Sequence, residues 1–406
     1  MGRRSKFVRI FSKFVLVVVI VLFVALIINV FQNGGKPLTT LSPQGPSSSS
    51  IQSLLIPVVV IAGIVFLIIE VGALLISWKF RARKGEADDE FPSQTHGNPV
   101  LEIGWTILPA LILAGIAVGT VMTIIDLNKK EPDSIKIQVA GQQWWWQYKY
   151  DLNGDGTFDG TGDITTATEM VIPAGRPIEL TVTSNDVIHS FWIPALNGKR
   201  DAVPGMTSPW KLQADEPGIY RGQCTEFCGL SHANMRMLVR ALPQDQYDAW
   251  VKNQLKTHGE TPTDPTAAAG KAVWQSLCAQ CHVINGINDQ KMKETPPPLV
   301  AGVAPNLTHL MTRGTFAGSI FNLYAPVAED GTVLPFDDIS AAGDPGAALT
   351  GGLVDTSRVN RVTLEAWLRN APALKPMYPQ GGRGMPALGL TEEQIDQLVA
   401  FLETLN

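Results

Sequence analysis

The sequence predicts a multidomain membrane protein: a transmembrane helical hairpin with an additional N-terminal apolar segment, an all-β domain and an all-α C-terminal domain. Three observations support this prediction, namely apolar runs before residue 130, alternating apolar and polar residues within 134–242, and a helical pattern at the C-terminus. The 406 residues are enough for about two or three domains. The charged fraction of 17% lies below the roughly 25% of soluble domains. A net charge of −5 argues against nucleic acid as a partner.

Three apolar stretches are candidates for crossing a bilayer, which takes about 20 residues. They are Phe14–Ile28, Ile51–Trp78 and Ile103–Ile125. Basic residues precede the first stretch and follow the second, namely Arg3, Arg4, Lys6, Arg9, Lys13, Lys79, Arg81, Arg83 and Lys84. Because basic flanks stay on the cytoplasmic side, the chain is predicted to be extracytoplasmic from about Leu127 onward.

The first apolar stretch is either a retained anchor or a cleaved signal peptide. No small-x-small cleavage pattern follows it, which favours the anchor. The second stretch contains Glu70, which we expect to face a neighbouring subunit because a carboxylate inside a membrane is costly. The predicted boundaries are 1–50 for the first segment and its linker, 51–130 for the hairpin, 131–243 for the β domain, 244–268 for a linker and 269–406 for the C-terminal domain.

The middle domain is predicted to be an antiparallel β sandwich or barrel. Residues 135–139 and 178–183 alternate between apolar and polar with a period of two. Glycine and proline residues separate such segments. Short alternating segments that are divided by turn residues are typical of all-β domains.

A cluster of potential metal ligands lies near the end of this domain, in the segment Cys224-Thr-Glu-Phe-Cys228-Gly-Leu-Ser-His232-Ala-Asn-Met235, with His189 upstream. Thiolates, imidazoles and a thioether favour copper over hard cations. Two Cys and two His suit a pair of copper ions that are bridged by both sulfurs. Three alternatives stay open. A disulfide leaves His232 and Met235 unexplained, a structural zinc site has no use for the Met, and a mononuclear copper site leaves one Cys surplus.

This pattern, C-x3-C-x3-H-x2-M with a His upstream, resembles the CuA site of cytochrome c oxidase subunit II. The resemblance extends over roughly residues 52–245 and includes Leu101–Ala110 and Gly141–Tyr150. It implies a cupredoxin-like domain that holds binuclear copper. The implied copper ligands are His189, Cys224, Cys228, His232, Met235 and the backbone carbonyl of Glu226.

The same resemblance implies roles for three further groups. The Glu226 side chain is a candidate ligand for a magnesium or manganese ion shared with subunit I. Trp144 matches the aromatic residue that receives electrons, and Glu102 matches the carboxylate at the entrance of a proton channel. We expect at least one of the three consecutive residues Trp144, Trp145 and Trp146 to pack beneath the sheet instead.

One polar segment, Asp151–Asp159, resembles the start of a calcium-binding loop. Its twelfth position is Gly162, where such a loop needs a glutamate. A polar hairpin turn is therefore the favoured interpretation, and calcium stays an alternative.

The C-terminal domain contains Cys278-Ala-Gln-Cys281-His282, and C-x-x-C-H is the attachment motif of c-type haem. Two thiols on one helical turn can add to both vinyl groups, and the adjacent His then reaches the iron. A thioredoxin-like Cys pair would need a βαβ context, which the sequence lacks. We therefore predict one covalently bound haem c, which suits the extracytoplasmic side.

The sixth ligand of the haem iron must lie downstream, and the candidates are Met377, Met385 and His309. Gly384–Ala387 followed by a helix over Thr391–Leu405 resembles class I cytochromes c, in which the axial Met lies in the loop before the last helix. Met385 is therefore preferred, and His309 is expected to be structural. An insert over 316–357, rich in Gly, Ala, Asp and Pro, is longer than this small fold requires and has no assigned function.

A subunit II with a fused cytochrome c is the arrangement of caa3-type haem–copper oxidases, which the chain resembles after its first segment. The resemblance implies a multi-pass subunit of a respiratory oxidase in the bacterial plasma membrane. Electrons would pass from an external donor through haem c and CuA to subunit I, where oxygen is reduced to water and protons are pumped. The implied partners are subunit I, other oxidase subunits, and a donor such as a cytochrome bc complex or another cytochrome c.

Two alternatives to this function stay open. One is the corresponding subunit of a related nitric oxide reductase. The other is a membrane-tethered electron carrier without an oxidase core, which would not require Glu102 in its Trp-Thr-Ile-Leu-Pro context. A quinol oxidase subunit is not expected, because such subunits share the fold but lack the copper ligands.

Overall fold

The structure is a computed structural model that describes residues 38–81, 96–158, 162–289, 303–326 and 354–406, with single helical positions between 17 and 28. The basic leader from Arg3 to Lys13, most of the first apolar stretch, and Arg83 and Lys84 lie outside the described residues. Whether the first apolar stretch is a retained anchor or a cleaved signal peptide therefore also lies outside the described residues. The chain forms two compact units, Ser47–Lys130 and the remainder.

The membrane unit consists of two long apolar helices, α1 (Pro46–Lys79) and α2 (Pro99–Leu127). Both are long and apolar enough to cross a membrane. The side chain of Asn98 accepts hydrogen bonds from the first backbone N–H groups of α2, which satisfies donors that have no partner inside the helix. Large apolar side chains such as Ile68 and Met122 are exposed, as expected where the surroundings are lipid.

The β domain is built from short strands that form two main sheets and a hairpin. The strands are β1 (Ile135–Gln142), β2 (Trp145–Asp151), β3 (Ile164–Ala167), β4 (Glu169–Pro173), β5 (Ile178–Ser184), β6 (His189–Trp192), β7 (Lys199–Ala202), β8 (Ser208–Leu212), β9 (Gly218–Gln223) and β10 (Arg236–Leu242). One sheet has the order β3-β2-β1-β5-β8, the other has the order β4-β10-β9, and β6 pairs with β7. Alternate residues of β5 are buried, as its sequence predicts.

The pairing in these sheets is mixed, not purely antiparallel as the sequence pattern suggested. Strand β1 runs parallel to β5, and β4 runs parallel to β10, while the other pairs are antiparallel. The prediction was wrong at these two pairs because their strands are joined by crossover connections, whereas hairpin turns give antiparallel neighbours. The core between the sheets includes Trp146, Tyr148, Tyr150 and Phe191.

The C-terminal domain is mainly helical. Helix α3 (Gln244–Gln254) precedes this domain and packs on the β domain through Tyr247 and Trp250. The helices of the C-terminal domain are α4 (Pro265–Leu277), α5 (Arg361–Leu374) and α6 (Glu392–Leu402), and its short strands are β11 (Thr315–Phe316), β12 (Phe321–Asn322), β13 (Tyr324–Pro326) and β14 (Val354–Val359). Helices α4 and α6 pack against each other through residues such as Trp274 and Phe401. A capping box formed by Thr391 and Gln394 starts α6. Helix α4 begins inside the stretch that was assigned to the linker.

The first part of the predicted insert forms the β11–β12 hairpin, and this hairpin contacts the β domain. The backbone N–H of Arg236, at the start of β10, donates to the carbonyl of Gly318 at 3.1 Å. The hydroxyl of Ser319 donates to the carbonyl of Thr168 at 3.3 Å. Residues 327–353 of the insert lie outside the described residues. The described part of the insert therefore joins the C-terminal domain to the β domain.

Candidate metal centre

The predicted copper ligands converge at one end of the β domain. Strand β9 ends just before Cys224 and β10 begins just after Met235, so their antiparallel pairing closes the loop between these residues. The N–H of Cys224 donates to the carbonyl of Met235 at 2.9 Å. His189 begins β6 and reaches the same place. Sheet topology therefore brings the upstream imidazole to the ligand loop.

The two thiols lie side by side, and each has an imidazole beside it. The sulfurs of Cys224 and Cys228 are 3.9 Å apart, far beyond the S–S bond length of about 2.05 Å, so they form no disulfide. Nδ1 of His189 lies 3.9 Å from the sulfur of Cys224. Nδ1 of His232 lies 3.5 Å from the sulfur of Cys228. The two cysteine sulfurs thus lie side by side, with one histidine nitrogen beside each sulfur.

Two further donors complete the set. Sδ of the fully buried Met235 lies 3.7 Å from the sulfur of Cys228. The backbone carbonyl oxygen of Glu226 lies 3.3 Å from the sulfur of Cys224, while the Glu226 side chain is exposed. Soft sulfur and imidazole donors suit copper, and two nitrogens beside two sulfurs suit a pair of ions. The residues present therefore fit a binuclear copper centre.

The thiols influence each other's ionisation. The hydrogen bond between the two thiols lowers the pKa of Cys224 to about 4, against the opposing effect of burial. The same hydrogen bond and burial raise the pKa of Cys228. Because metals bind the deprotonated form of cysteine, cation binding would displace the thiol protons.

His189 is held by a carboxylate on its other ring nitrogen. Oδ1 of Asp186 lies 2.8 Å from Nε2 of His189, so Nδ1 is left to face the sulfur. Burial works to lower the pKa of His189, but the hydrogen bonds with Asp186 and Cys224 outweigh it and raise the pKa. Gly141 lies against the ring, because a Cβ there would come within 2.7 Å of its Cδ2 atom. The imidazole is therefore fixed before any metal binds.

Trp144 lies against the ligand loop. Its indole Nε1 donates to the carbonyl of Cys228 at 3.1 Å, and Nε2 of Gln143 donates to the same oxygen at 2.6 Å. Trp146 is fully buried and packs edge-on against the rings of His189 and Phe191. The packing role expected for one of the three tryptophans thus falls on Trp146, while Trp144 contacts the predicted ligand Cys228.

A cavity of about 810 Å³ lies beside Trp144, between the β domain and the C-terminal domain. Its lining includes Cys278, Cys281 and His282 on one side and Met385 on another. Trp144 forms part of the same wall. The volume falls within the roughly 300–1,000 Å³ of ligand pockets. The predicted haem attachment residues and the predicted sixth ligand therefore line one cavity.

Two polar side chains show how this cavity fits a haem. Nδ1 of His282 donates to the carbonyl of Pro305 at 2.8 Å, which leaves Nε2 as the nitrogen available to a metal. Burial lowers the pKa of His282, which favours the neutral ligand form. Arg313 is 5% exposed, and its Nε has no hydrogen-bond partner among the described residues. An acidic group of a bound ligand would satisfy this orphaned buried donor.

The two candidate methionines have different surroundings. Met385 packs against the core of the C-terminal domain, whereas Met377 packs against the core of the β domain. Sδ of Met377 accepts a hydrogen bond from the N–H of Met385 at 3.3 Å. His309 is buried, with its ring nitrogens 2.7 and 3.1 Å from the carbonyls of Asn406 and Lys256. Both methionines line the cavity, so Met385 stays the predicted axial residue, while the contacts of His309 favour a structural role.

Two other predicted features belong to other segments of the chain. Glu102 is exposed in the first turn of α2, in the membrane unit. The carboxylate of Asp151 accepts the N–H groups of Gly154 and Gly156 at 2.7 and 3.0 Å. Its oxygens are thus used within the turn, which favours the polar hairpin over a calcium loop. Asp159 lies outside the described residues.

Five side chains that contact the predicted copper ligands or line the cavity were not identified from the sequence, namely Gln143, Asp186, Arg313, Lys375 and Arg383. Two of them had a local signal, because Asp186 stands three residues before His189 and Gln143 directly precedes Trp144. Lys375 and Arg383 had none, since their partners in the β domain are distant in the sequence.

Comparisons with known proteins identify relatives of the membrane helices, of the β domain and of most of the chain. A family model described as cytochrome C oxidase subunit II, periplasmic domain, matches residues 135–242, and its transmembrane-domain counterpart matches residues 42–122. Cytochrome c oxidase subunit 2 of Alkalihalophilus pseudofirmus is 32% identical over 381 residues, covering 92% of each chain. That of Bacillus sp. (strain PS3) is 30% identical over 388 residues, covering 92% of this chain and 93% of the relative. Quinol oxidase subunit 2 of Bacillus spizizenii is 33% identical over 251 residues, but covers only 59% of this chain and 73% of the relative.

Proposed function

Because this chain belongs to the cytochrome c oxidase subunit II family, we propose that it relays electrons from an external donor through its own haem c to binuclear copper, and on to subunit I. The chain is the copper-site subunit of a membrane-bound oxidoreductase complex. The observation that carries the proposal is that Trp144 both donates to the carbonyl of Cys228 and lines the cavity that contains the C-x-x-C-H residues.

The copper pair would be held by His189, Cys224, Glu226 through its carbonyl, Cys228, His232 and Met235. When bound, the metal pair supplies one-electron redox chemistry. The protein's part is to keep the donors in place. Asp186 holds one imidazole, the β9–β10 pairing closes the loop, and burial excludes water from the sulfurs. Such preorganisation limits rearrangement between redox states.

The haem would be attached through Cys278 and Cys281, with His282 and Met385 as axial residues. When bound, it supplies a second one-electron centre, and a His–Met pair raises its reduction potential relative to His–His. Arg313 would face an acidic group of the haem with its unpaired Nε. The hydrogen bond from His282 to Pro305 would fix the orientation of the imidazole.

Fusion of the two centres in one chain removes the need for a diffusing cytochrome at this step. Trp144 of the β domain lines the cavity together with residues of the C-terminal domain. The cavity and the ligand loop lie in the same compact unit. An intramolecular partner has an effective concentration of about millimolar order for a short linker. Trp144 is an aromatic residue that contacts both regions and is therefore the proposed electron-receiving aromatic.

The remaining roles concern the complex. The exposed carboxylate of Glu226 would bind magnesium or manganese together with subunit I, and Glu102 would lie at a proton-channel entrance. With basic flanks in the cytoplasm, the chain would pass the bacterial plasma membrane more than once and expose both redox domains outside. Oxygen reduction to water and proton pumping belong to subunit I. The donor would be a cytochrome bc complex or another cytochrome c.

The proposal is tested on the complex purified through this chain. We expect a pair of copper ions with a near-infrared band, a haem that stays attached after denaturation, a co-purified subunit I, and turnover with oxygen. A complex that contains copper but no covalent haem would refute the relay. Turnover with nitric oxide instead of oxygen would identify the chain as a subunit of a nitric oxide reductase. Absence of subunit I would identify it as a membrane-tethered electron carrier.

A further inference from the structure

A buried lysine of the C-terminal domain is bonded to the β domain. Lys375 follows helix α5 and is only 3% exposed. Its Nζ donates to the carbonyl of Trp144 at 2.7 Å and to that of Ala317 at 2.8 Å. Burial lowers its pKa to about 7. Burying an amine is costly unless it is hydrogen-bonded, and one of the two acceptors here belongs to the other domain.

The acceptor in the β domain leads directly to a copper ligand. The carbonyl of Trp144 accepts from Lys375, and the indole of the same residue donates to the carbonyl of Cys228 at 3.1 Å. The approach is close, because a Cβ on Gly318 would lie 2.9 Å from that Trp144 oxygen and 2.7 Å from Nζ of Lys375. Gly318 also has a φ of +78°. Both the close approach of its neighbours and this positive φ require a glycine here.

A second contact leads to the other end of the copper site. Nε of Arg383 donates to Oε1 of Gln143 at 3.0 Å and lies 3.7 Å from Oδ2 of Asp186. Gln143 donates to the carbonyl of Cys228, and Asp186 holds Nε2 of His189. Arg383, in the loop before Met385, thus contacts the residues that hydrogen-bond to Cys228 and His189.

A third contact reaches the ligand loop itself. The hydroxyl of Ser231 donates to the carbonyl of Pro376, and Ser231 is the residue before His232. Lys375, Pro376 and Arg383 lie in one segment, which we name the latch segment (Lys375–Arg383). The polar contacts that this segment makes with the β domain end on Trp144, Gln143, Asp186 and Ser231, each of which contacts or adjoins a predicted copper ligand.

We propose that Lys375 and Arg383 are positioning residues for the copper centre, so that docking of the C-terminal domain sets the arrangement of Cys228 and His189. The inference rests on the proposed function. Lys375 holds the backbone of Trp144 and so the indole that binds the Cys228 carbonyl. Arg383 holds Gln143 and places a positive charge beside Asp186. Docking of the haem domain then adjusts the geometry of a site whose ligands all belong to the β domain.

The test uses Lys375→Met and Arg383→Gln in the full chain within its purified complex. Arg369→Gln is the matched control, because Arg369 also pairs with a carboxylate, that of Glu392, and both arginine side chains are 45% exposed. The measurements are copper and haem content, the near-infrared and electron paramagnetic resonance spectra of copper, the copper midpoint potential, and the haem spectrum.

We expect Lys375→Met and Arg383→Gln each to shift the copper spectra and midpoint potential while the haem spectrum stays as in the wild type, and Arg369→Gln to shift neither. Loss of copper with normal haem also supports the inference. If Lys375→Met prevents folding, the exposed Arg383→Gln decides. Copper spectra and potential equal to the wild type in Arg383→Gln, with full copper and haem content, overturn the proposal. A wild-type complex without copper or haem would instead refute the proposed function.

Discussion

Replacing Asp186 by asparagine tests the link between the support of an imidazole and copper binding. Its carboxylate is 3% exposed, and its Oδ1 faces both the N–H of Val187 at 2.7 Å and Nε2 of His189 at 2.8 Å. Its Oδ2 accepts the N–H of Gln143 at 2.7 Å and faces Arg383. Both oxygens thus face donors. Asparagine has the same shape but only one oxygen, so its NH₂ must face one of the two donor sets.

The size of the effect follows from this mismatch. Leaving one buried donor unpaired costs about 1–3 kcal/mol. At about 1.4 kcal/mol per tenfold change, that corresponds to roughly 5- to 150-fold in an equilibrium constant. Groups that orient metal ligands typically account for about 10- to 100-fold in metal affinity. We therefore expect Asp186→Asn to weaken copper binding by about 10- to 100-fold.

The assay is a competition titration of copper against a chelator in the purified complex, followed through the near-infrared band. Asp201→Asn is the control, because Asp201 is exposed on β7 and changes the charge equally. If Asp186→Asn binds copper as tightly as Asp201→Asn does, then the hydrogen bond to His189 does not position this ligand, and the reasoning is wrong.

Four further predictions concern single residues. Cys228→Ser should abolish the near-infrared copper band and leave the haem absorbance, because the two sites have separate ligands; absorption spectra check this, and an intact band contradicts the assignment. Met385→Leu should change the reduced haem spectrum and lower its midpoint potential, since the thioether ligand is lost, whereas Met377→Leu should leave the normal spectrum; the reverse result would transfer the axial role to Met377. Arg313→Met should lower the haem midpoint potential in a potentiometric titration, because a buried cation disfavours the more positive ferric state; a potential equal to that of the wild type would place Arg313 away from the haem. Glu102→Gln should slow proton uptake by the complex without changing either optical spectrum, and unchanged uptake would remove Glu102 from the pathway.

The ligand loop was predictable because its information is local. Cys224, Cys228, His232 and Met235 lie within one short loop, so their spacing and donor chemistry indicate copper before any fold is known. Asp186 was within reach of the same reasoning, being three residues from His189. The strand pattern likewise predicted an all-β domain, but not the parallel pairing of β1 with β5, because periodicity within a strand carries no information about its neighbour.

The amino-acid sequence alone thus determined the apolar helices, the donor set for copper and the attachment motif for haem, since each depends on residue type and short spacing. Only the tertiary structure placed Met385 and Met377 at one cavity, put Trp144 in the lining of that cavity, and revealed the contacts of the latch segment. Lys375 bonds to a residue 231 positions away and Arg383 to one 240 positions away. Such contacts form only when two folded domains meet, and no local pattern of hydrophobicity or spacing specifies which side chains will then face each other.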